Sequence, residues 1–438
     1  PGAVTVVTGQ QVGLFSGPAY TIYKALTAAR IAADLTEHGR PAVPVFWLAT
    51  EDHDWPEVDH SWIFDKDNRP VKLQVEPDKA GAIPVGTIKV AQWPIEKLRS
   101  ALQGQPFCDE ICDLVRETHP DGAGMGASFR ALLERILRPF GFLFLDPLHP
   151  AIRSLAAPIL SRAVQIGPEL NRLLLDRNRE LEAAGYHAQV HVDARTSLFF
   201  VLEGGRRIPL REAKRSIEEL TERAEDLSPN ALLRPVVQDF MLPTAAYVGG
   251  PAELAYFAQS QVLYERLLGH MPRLVSRNGF TLIASRSAKL LERYSLHIRD
   301  FFPGEESLRE RIAASLVPPG LSRQFETASA SIAQTLDALN ADLNAFDPTL
   351  SAALLRSRTR ISYQIGKTQT KVARALLRRN ERATFDSEWL YNNLYPHKHL
   401  QERFYSILPY LAQHGPELIG RLYRQVHMDC PDHVLLPL

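Results

Sequence analysis

An excess of charge of either sign is the first thing missing from this chain. Lys and Arg total 50, and Asp and Glu total 50, in 438 residues, so the formal net charge at pH 7 is zero. Such a chain has no overall field to gather nucleic acid or an anionic membrane. Cysteine is scarce as well. Cys108, Cys112 and Cys430 are too few to staple so long a chain and read as reduced thiols. Cys108 and Cys112 stand four apart on one helix face, with a metal pair as the alternative. Long apolar runs are also absent: nothing approaches the roughly 18 residues of a membrane-spanning helix. No charged-then-apolar leader precedes the first element. The chain opens at Pro1 directly into a strand-like segment, so that last absence weighs little. The cytoplasm is the expected compartment. The length suggests two or three domains with room for a substantial core.

What is present is organised around Val45-Phe46-Trp47-Leu48-Ala49-Thr50-Glu51-Asp52-His53-Asp54. The first half suits a buried strand and the second half is ionisable. Open α/β sheets present their chemistry where parallel strands end, so Glu51, Asp52, His53 and Asp54 mark a candidate site. Asp59 and His60 follow the Pro56 turn. A histidine flanked by carboxylates can be an oriented acid or base. The same set could hold a divalent metal, and a capping cluster at a strand end is the plainer alternative.

Upstream, Val4-Thr5-Val6-Val7-Thr8 fits a central parallel strand. Gly9-Gln10-Gln11-Val12-Gly13-Leu14-Phe15-Ser16-Gly17-Pro18 follows. Its glycines let the backbone come close to a ligand. Pro18 suits the start of a helix from about Ala19 to Glu37, with Ser16 or Gly17 as cap. The N–H groups at that start form an anion site, with Lys24 in reach of a phosphate or carboxylate. A tight structural turn is the alternative. Far downstream, Ala245–Val248 reads as a short strand, and Gly249-Gly250-Pro251 again couples a glycine turn to a helix start, with Glu253 in its first turn. Two such loops on one sheet favour a nucleotide-like ligand.

These residues carry a resemblance. Gly9-Gln10-Gln11, then Gly17-Pro18-x-Tyr20-x-x-x-Lys24, then Pro44-Val45-Phe46-Trp47 with Glu51-Asp52-His53-Asp54 resemble the bacillithiol-biosynthesis cysteine-adding enzyme family, BshC. Arg234-Pro235-Val236-Val237-Gln238-Asp239 with Leu242-Pro243-Thr244 fits the same family, as does Tyr247-x-Gly249-Gly250-Pro251-x-Glu253-x-x-Tyr256. The resemblance covers most of the chain. It implies an α/β fold: a Rossmann-like parallel-sheet core related to nucleotidyltransferases and class I synthetases. Connecting-peptide insertions and an α-helical coiled-coil domain used for dimerisation are added to that core. The implied activity joins L-cysteine to glucosaminyl malate, giving bacillithiol. An ATP-dependent ligation is the expected chemistry, with Mg²⁺ accompanying ATP and no structural metal.

On this reading His53, Asp52, Asp54 and Lys24 are the catalytic candidates. Gly9, Gln10, Gln11, Ser16, Gly17, Pro18, Tyr20, Glu51, Gln238, Asp239, Tyr247, Gly249, Gly250 and Glu253 line the substrate and nucleotide sites. Adenosine would lie against Gly249-Gly250 and a phosphate near Gly17. The lysine-rich mobile loop of class I synthetases has no clear counterpart. Arg277-Asn278 and Ser285–Lys289 are the nearest candidates and neither matches, which counts against an adenylate mechanism but not against nucleotide binding.

The expected division is core at 1–60, a connecting-peptide insertion at 61–125, core at 126–184, a second insertion at 185–228 and core at 229–304. A coiled-coil hairpin at 305–382 and returning helices at 383–438 complete it. Within this frame Val71–Val75 alternates like a half-exposed strand, and Phe129–Leu137 reads as a helix. Gly141–Asp146 reads as a buried strand ending in Asp. Helices fill Ala151–Ala184. His187, Gln189, His191 and Asp193 share one face of an alternating segment, read as the solvated face of an insertion with a metal face as the alternative. Gly204-Gly205 closes a hairpin, Arg211–Leu227 reads as an amphipathic helix, and Arg234 to Asp239 as an extended run.

From Ser322 the texture changes. Phe325, Ile332, Leu339 and Phe346 recur every seven residues, with Leu336 and Leu343 between them; this is a heptad seam. Asp347-Pro348 starts a second, basic arm with Leu354, Ile361, Ile365, Val372 and Leu376 on one stripe. The expected hairpin is roughly 35 Å long and pairs two copies of the chain. Its basic arm lacks the interleaved aromatics of an RNA-binding surface. Glu388–Leu411 reads as a further helix pair. The rival readings are a metal-dependent hydrolase or deacetylase using Asp52, His53, Asp54 and His60, and a non-catalytic coiled-coil scaffold.

Overall fold

The computed structural model describes residues 2–77, 81–210, 215–428 and 432–438. The chain divides into two compact units. One comprises Pro1–Thr281 with Glu402–Leu435, the other Leu282–Gln401 with Leu436–Leu438.

The first unit is built on five parallel strands: β1 (Val4–Gln11), β2 (Ala42–Ala49), β3 (Leu143–Leu145), β4 (Thr244–Gly249) and β5 (Arg273–Ser276), in the order β5-β4-β1-β2-β3. Val6, Val7 and Val45 are sealed from solvent, as expected of strands covered on both faces. The β1–β2 register runs from Val4 opposite Ala42 to Gln11 opposite Ala49. Chain order leaves β1 towards β2 and β3, then returns to its other side as β4 and β5. The winding order therefore reverses between β1 and β4, the place where parallel sheets of this kind open a crevice beyond their strand ends. Gly9 has its own reason to be glycine: a Cβ there would stand 2.8 Å from the Trp47 carbonyl oxygen.

Helix α1 (Tyr20–Glu37) packs on one face, where Ala28, Ile31 and Ala32 meet Val6, Ala246 and Val248. On the other face Val7, Val45, Trp47 and Tyr247 join a core supplied by helices Pro150–Gln165, α2 (Arg234–Met241) and α3 (Pro251–Leu267). An antiparallel pair, His60–Phe64 with Pro70–Gln74, and helices Ile95–Leu102, Cys108–Thr118 and Met125–Ile136 separate β2 from β3. A second antiparallel group, Phe199–Glu203 with Arg206–Pro209 and Leu227–Pro229, precedes α2.

Several expectations change. Arg234 to Asp239 is helical, not extended, because Pro235 falls in the first helical turn, where its missing N–H costs nothing. His187–Asp193 forms no strand; alternation without a neighbouring ladder does not make one. Leu143–Leu145 is an edge strand with Leu143 59% exposed, so it is not buried throughout. Of the expected helix Arg211–Leu227, residues 211–214 lie outside the described residues. The remainder is a short helix, Ile217–Glu222, a turn of 3-10 helix and a strand. Cys108 and Cys112 are free and buried, and burial pushes the Cys112 thiol up to about 12. Cys430 lies outside the described residues.

The second unit has its own core, with Leu290, Phe301, Leu308, Ile312, Leu377, Leu390 and Leu394 at its centre. Two long helices, Pro319–Phe346 and Pro348–Arg379, meet at Asp347, whose carboxylate accepts from the Thr349 N–H at 2.8 Å. Their 28 and 32 residues give lengths of about 42 and 48 Å, longer than the expected hairpin. In place of a Glu388–Leu411 pair, helices Glu381–Leu394, Gln401–Phe404 and Leu408–His414 form. Among the described residues no helix is long and apolar enough to cross a membrane.

Candidate functional site

One ion pair links the ends of β1 and β4, where the winding order changes side and a crevice is expected. Lys24, in the second turn of α1, is 1% exposed, and its ammonium lies 2.6 Å from Glu253 Oε2. The same ammonium donates to the Gly9 carbonyl and, at 3.3 Å, to Gln10 Oε1. Glu253 also accepts from the Gly250 N–H at 2.8 Å and from the Tyr247 hydroxyl at 2.8 Å. One lysine and one glutamate thus tie the end of β1 to the glycine turn after β4. Burial pushes the Lys24 ammonium down, against the pull of Glu253. Burial alone would raise the Glu253 carboxyl, but Lys24 and the Gly250 amide hold it below its usual range. Lys24 therefore meets a carboxylate of its own chain.

Beyond β2, Thr50 donates to Asp146 at 2.5 Å, joining the ends of β2 and β3. Asp146 also accepts from the Leu148 N–H at 2.9 Å, so it holds a turn. Glu51 is 7% exposed and paired with Arg153 at 2.8 Å. That arginine donates to the Leu227 carbonyl at 2.8 Å, so Glu51 pins helix to strand and faces little solvent. Burial pushes its carboxyl up.

Asp52 and His53 are half-buried and Asp54 is exposed. Asp52 accepts from Gln11 Nε2 at 2.6 Å and from the His53 backbone N–H at 2.7 Å. It does not orient the imidazole, as its carboxylate stands 3.8 Å from His53 Nδ1. Arg207 does that: its Nη1 lies 3.1 Å from His53 Nδ1. A guanidinium can only donate, so Nδ1 is the acceptor and the ring proton sits on Nε2. Arg207 is itself fixed by Ser228 at 3.0 Å and the Pro229 carbonyl at 2.9 Å, and stacks 3.9 Å over the Phe200 ring. Nothing in the sequence marked Arg207. A hairpin is legible there, but not which of two adjacent arginines turns inward. His60 pairs with Asp59 at 2.7 Å on the separate hairpin.

A second polar chain runs from Glu253 into the core. The Tyr247 hydroxyl links Glu253 to Arg234, whose Nη2 lies 3.4 Å from it and 3.1 Å from the Tyr256 hydroxyl. Arg234 Nη1 donates to Gln238 at 3.1 Å, and Gln238 donates to Asp239 at 2.9 Å. Asp239 also accepts from Thr244 at 2.6 Å and from Tyr264. Burial pushes the Asp239 carboxyl up against those bonds. Gln238 is fully buried and Asp239 is 8% exposed, so this pair braces α2 against β4 and α3.

The Gly9–Pro18 loop differs from its expectation. Leu14, Phe15 and Ser16 are fully buried. Phe15 at φ 47° and Ser16 at φ 74° adopt left-handed backbone before Gly17 at φ 62°, a costly run for side-chain-bearing residues. The Gly17 N–H donates to the Leu14 carbonyl at 3.0 Å and the Ala19 N–H to the Tyr405 carbonyl at 2.7 Å. Neither Ser16 nor Gly17 caps α1 through a side chain. The Tyr405 carbonyl thus takes one of the amides at this helix start. Tyr20 remains near the crevice, accepting from Gln10 Nε2 at 3.0 Å beneath Arg277, 5.2 Å from its ring. Arg277 in turn pairs with the buried Glu402 at 2.5 Å. Among the described residues no group of three or more His, Cys, Asp or Glu is placed to hold a metal ion.

The crevice thus gathers Gln10, Gln11, Asp52, His53, Tyr20, Lys24, Gly250 and Glu253 at one sheet edge and leaves His60 and Ser16 elsewhere. The comparisons fall on the same segments. Residues 1–278 match the family model "Bacillithiol biosynthesis BshC, N-terminal Rossmann-like domain". Residues 280–438 match "Bacillithiol biosynthesis BshC, C-terminal coiled-coil domain". A Solibacter usitatus protein named "Putative cysteine ligase BshC" is 53% identical, across 99% of this chain and 84% of that protein. Proteins of the same name are 38% identical in Koribacter versatilis, covering 99% and 83%, and 32% identical in Salinibacter ruber, covering 99% and 82%. Matched along both parts, the chain belongs to the BshC family of bacillithiol biosynthesis.

Proposed function

We propose that this chain is the cysteine-adding ligase of bacillithiol biosynthesis, joining the carboxyl group of L-cysteine to the amine of glucosaminyl malate. The observation that carries the reading is the bridge from Lys24 to Glu253, which fixes two strand ends across a crevice beside Asp52, His53 and Asp54. Amide formation needs an activated acyl group, an amine stripped of its proton and donors for the charge that develops on oxygen. In this reading a nucleotide activates the cysteine carboxylate. The new bond forms between the acyl carbon and the amine nitrogen, and the activating group leaves with the electron pair of the acyl–oxygen bond. His53, with its proton on Nε2, serves as a donor to that oxygen. Asp54, exposed beside it, accepts the amine proton. Lys24 holds Glu253 and the Gly9 carbonyl in place. Gly250 and Glu253 form one wall for the bound metabolites, and Gln10, Gln11 and Tyr20 the other, all of them partly exposed.

Magnesium would arrive with the nucleotide's phosphates, since Asp52 already spends its oxygens on Gln11 and the His53 amide. No step is assigned to it. A second copy of the chain is the proposed partner of the helical hairpin. Leu339, Phe346, Leu350, Leu355, Ile361 and Tyr363 stay exposed there, as a two-helix seam has no third surface to cover it.

The test is a single incubation series. The protein is mixed with cysteine and glucosaminyl malate, with and without ATP, and the amide product is followed by mass together with AMP and ADP. Product that requires ATP supports the reading in full. Product without ATP removes the nucleotide from it. No product under any condition defeats it.

A further inference from the structure

Arg234 is a charged residue with no direct ion pair among the described residues; Glu253 acts on its charge only from beyond hydrogen-bonding distance. Among the described residues no carboxylate lies within ion-pair distance of it, and its three acceptors are the neutral oxygens of Gln238, Tyr247 and Tyr256. The two nearest carboxylates are each spent elsewhere. Glu253 faces Lys24, the Gly250 amide and Tyr247, and Asp239 faces Thr244, Tyr264 and Gln238. A guanidinium carries five N–H donors, and these bonds use three. Its Nε–H has no acceptor among the described residues, and the residue as a whole is only half-buried. The group is also held rigidly, with its carbon 6.0 Å from the Trp47 ring centroid and 5.9 Å from that of Tyr247. Burial works against its charge, but the Tyr256 and Tyr247 hydroxyls hold it firmly protonated.

We propose that Arg234 is a carboxylate-binding residue of the crevice, seating the malyl carboxylates of the acceptor rather than the reacting carboxyl of cysteine. This rests on the ligase reading above. A chain of contacts runs from Arg234 through Tyr247 and Glu253 to Lys24, so an acceptor anchored there by its acid end lies along the β4 side of the crevice. A fixed guanidinium meeting a carboxylate forms charge-assisted bonds about twice as strong as neutral ones. An acceptor with the same sugar amine but no acid group has nothing to give it.

The experiment compares wild type with Arg234→Gln and Arg234→Lys, using glucosaminyl malate and the methyl glycoside of glucosamine, which lacks both carboxylates. Initial rates and calorimetric binding are measured with each acceptor, and circular dichroism and Tm confirm folding. Arg234→Gln should raise KM and Kd for glucosaminyl malate at least about tenfold, with kcat within about threefold. It should leave both constants unchanged for the methyl glycoside. Arg234→Lys should recover part of the loss. Equal effects on both acceptors, or none on either, would overturn the assignment while turnover by wild type left the ligase reading standing. Binding of glucosaminyl malate that depends on Arg234 without any turnover would do the reverse. Failure of wild type to bind glucosaminyl malate would overturn the assignment outright.

Discussion

At the scale of single residues, the proposed chemistry depends on what His53 can do once Arg207 holds its Nδ1. A ring whose one proton is on Nε2 can donate towards the substrate but has no free lone pair to receive from it. Replacing His53 with Ala should lower kcat about 100-fold or more, the usual loss on removing a donor to a developing oxyanion. His53→Gln, which keeps an N–H near the same place, should retain about a tenth of wild-type kcat. Equal, complete loss in both variants would show instead that His53 takes a proton.

Lys24 and Glu253 make a second residue-scale prediction. Glu253→Gln leaves a sealed ammonium without its partner, which costs about 3 kcal/mol of stability. The double variant Lys24→Met, Glu253→Gln should cost less than the sum of the two single changes in urea unfolding. Strict additivity would mean that the pair is not coupled. Asp52 and His53 could be picked out from the sequence because ionisable residues at a strand end stand out against their apolar neighbours, and Lys24 because it follows a glycine-rich loop in the first turns of a helix. Their partners could not, since Arg207 is 154 positions from His53, and Glu253 is 229 from Lys24.

At the scale of elements, short-range rules place α1 and β2 almost to the residue and mark β1, β3 and β4, but leave β5 at Arg273–Ser276 unmarked. They failed where tertiary neighbours decide. Pro235, expected to hold an extended run, starts a helix. The alternation from His187 to Asp193 was read as a strand and lacks a partner. The Gly9–Pro18 loop was read as open to a phosphate, yet its Phe15 ring packs edge-on against His119, 5.0 Å between centroids. Trp93 completes that contact, 4.7 Å from His119.

His119 makes the loop's packing sensitive to acid. Burial holds its imidazole down to about 3. Below about pH 6.5 the unfolded chain binds a proton that the folded chain refuses. Stability is therefore lost as pH falls from 6.5 towards 3, by about 2 kcal/mol at pH 5. His119→Phe keeps a ring against Phe15 and Trp93 and should remove that part of the loss. Urea midpoints of both proteins at pH 7 and pH 5 check it; an unchanged pH dependence in the variant would place His119 outside the account.

At the scale of the whole molecule, the heptad pattern was plain in the sequence, but the extent of the hairpin was not. Nothing local ends either helix between Pro319 and Arg379 except Asp347. The exposed seam predicts that Leu339→Asp with Ile361→Asp converts a dimer to a monomer in light scattering, with the core's unfolding midpoint unchanged. A monomeric wild type, or a dimeric variant, would assign the seam to something else.

The most direct test of the central claim is formation of the cysteine amide of glucosaminyl malate, read by mass, by wild type and by His53→Ala side by side. Wild type is predicted to accumulate product while the folded variant accumulates at most about a hundredth as fast. Equal rates in the two proteins would contradict the account, because the joining would then take place away from the end of β2.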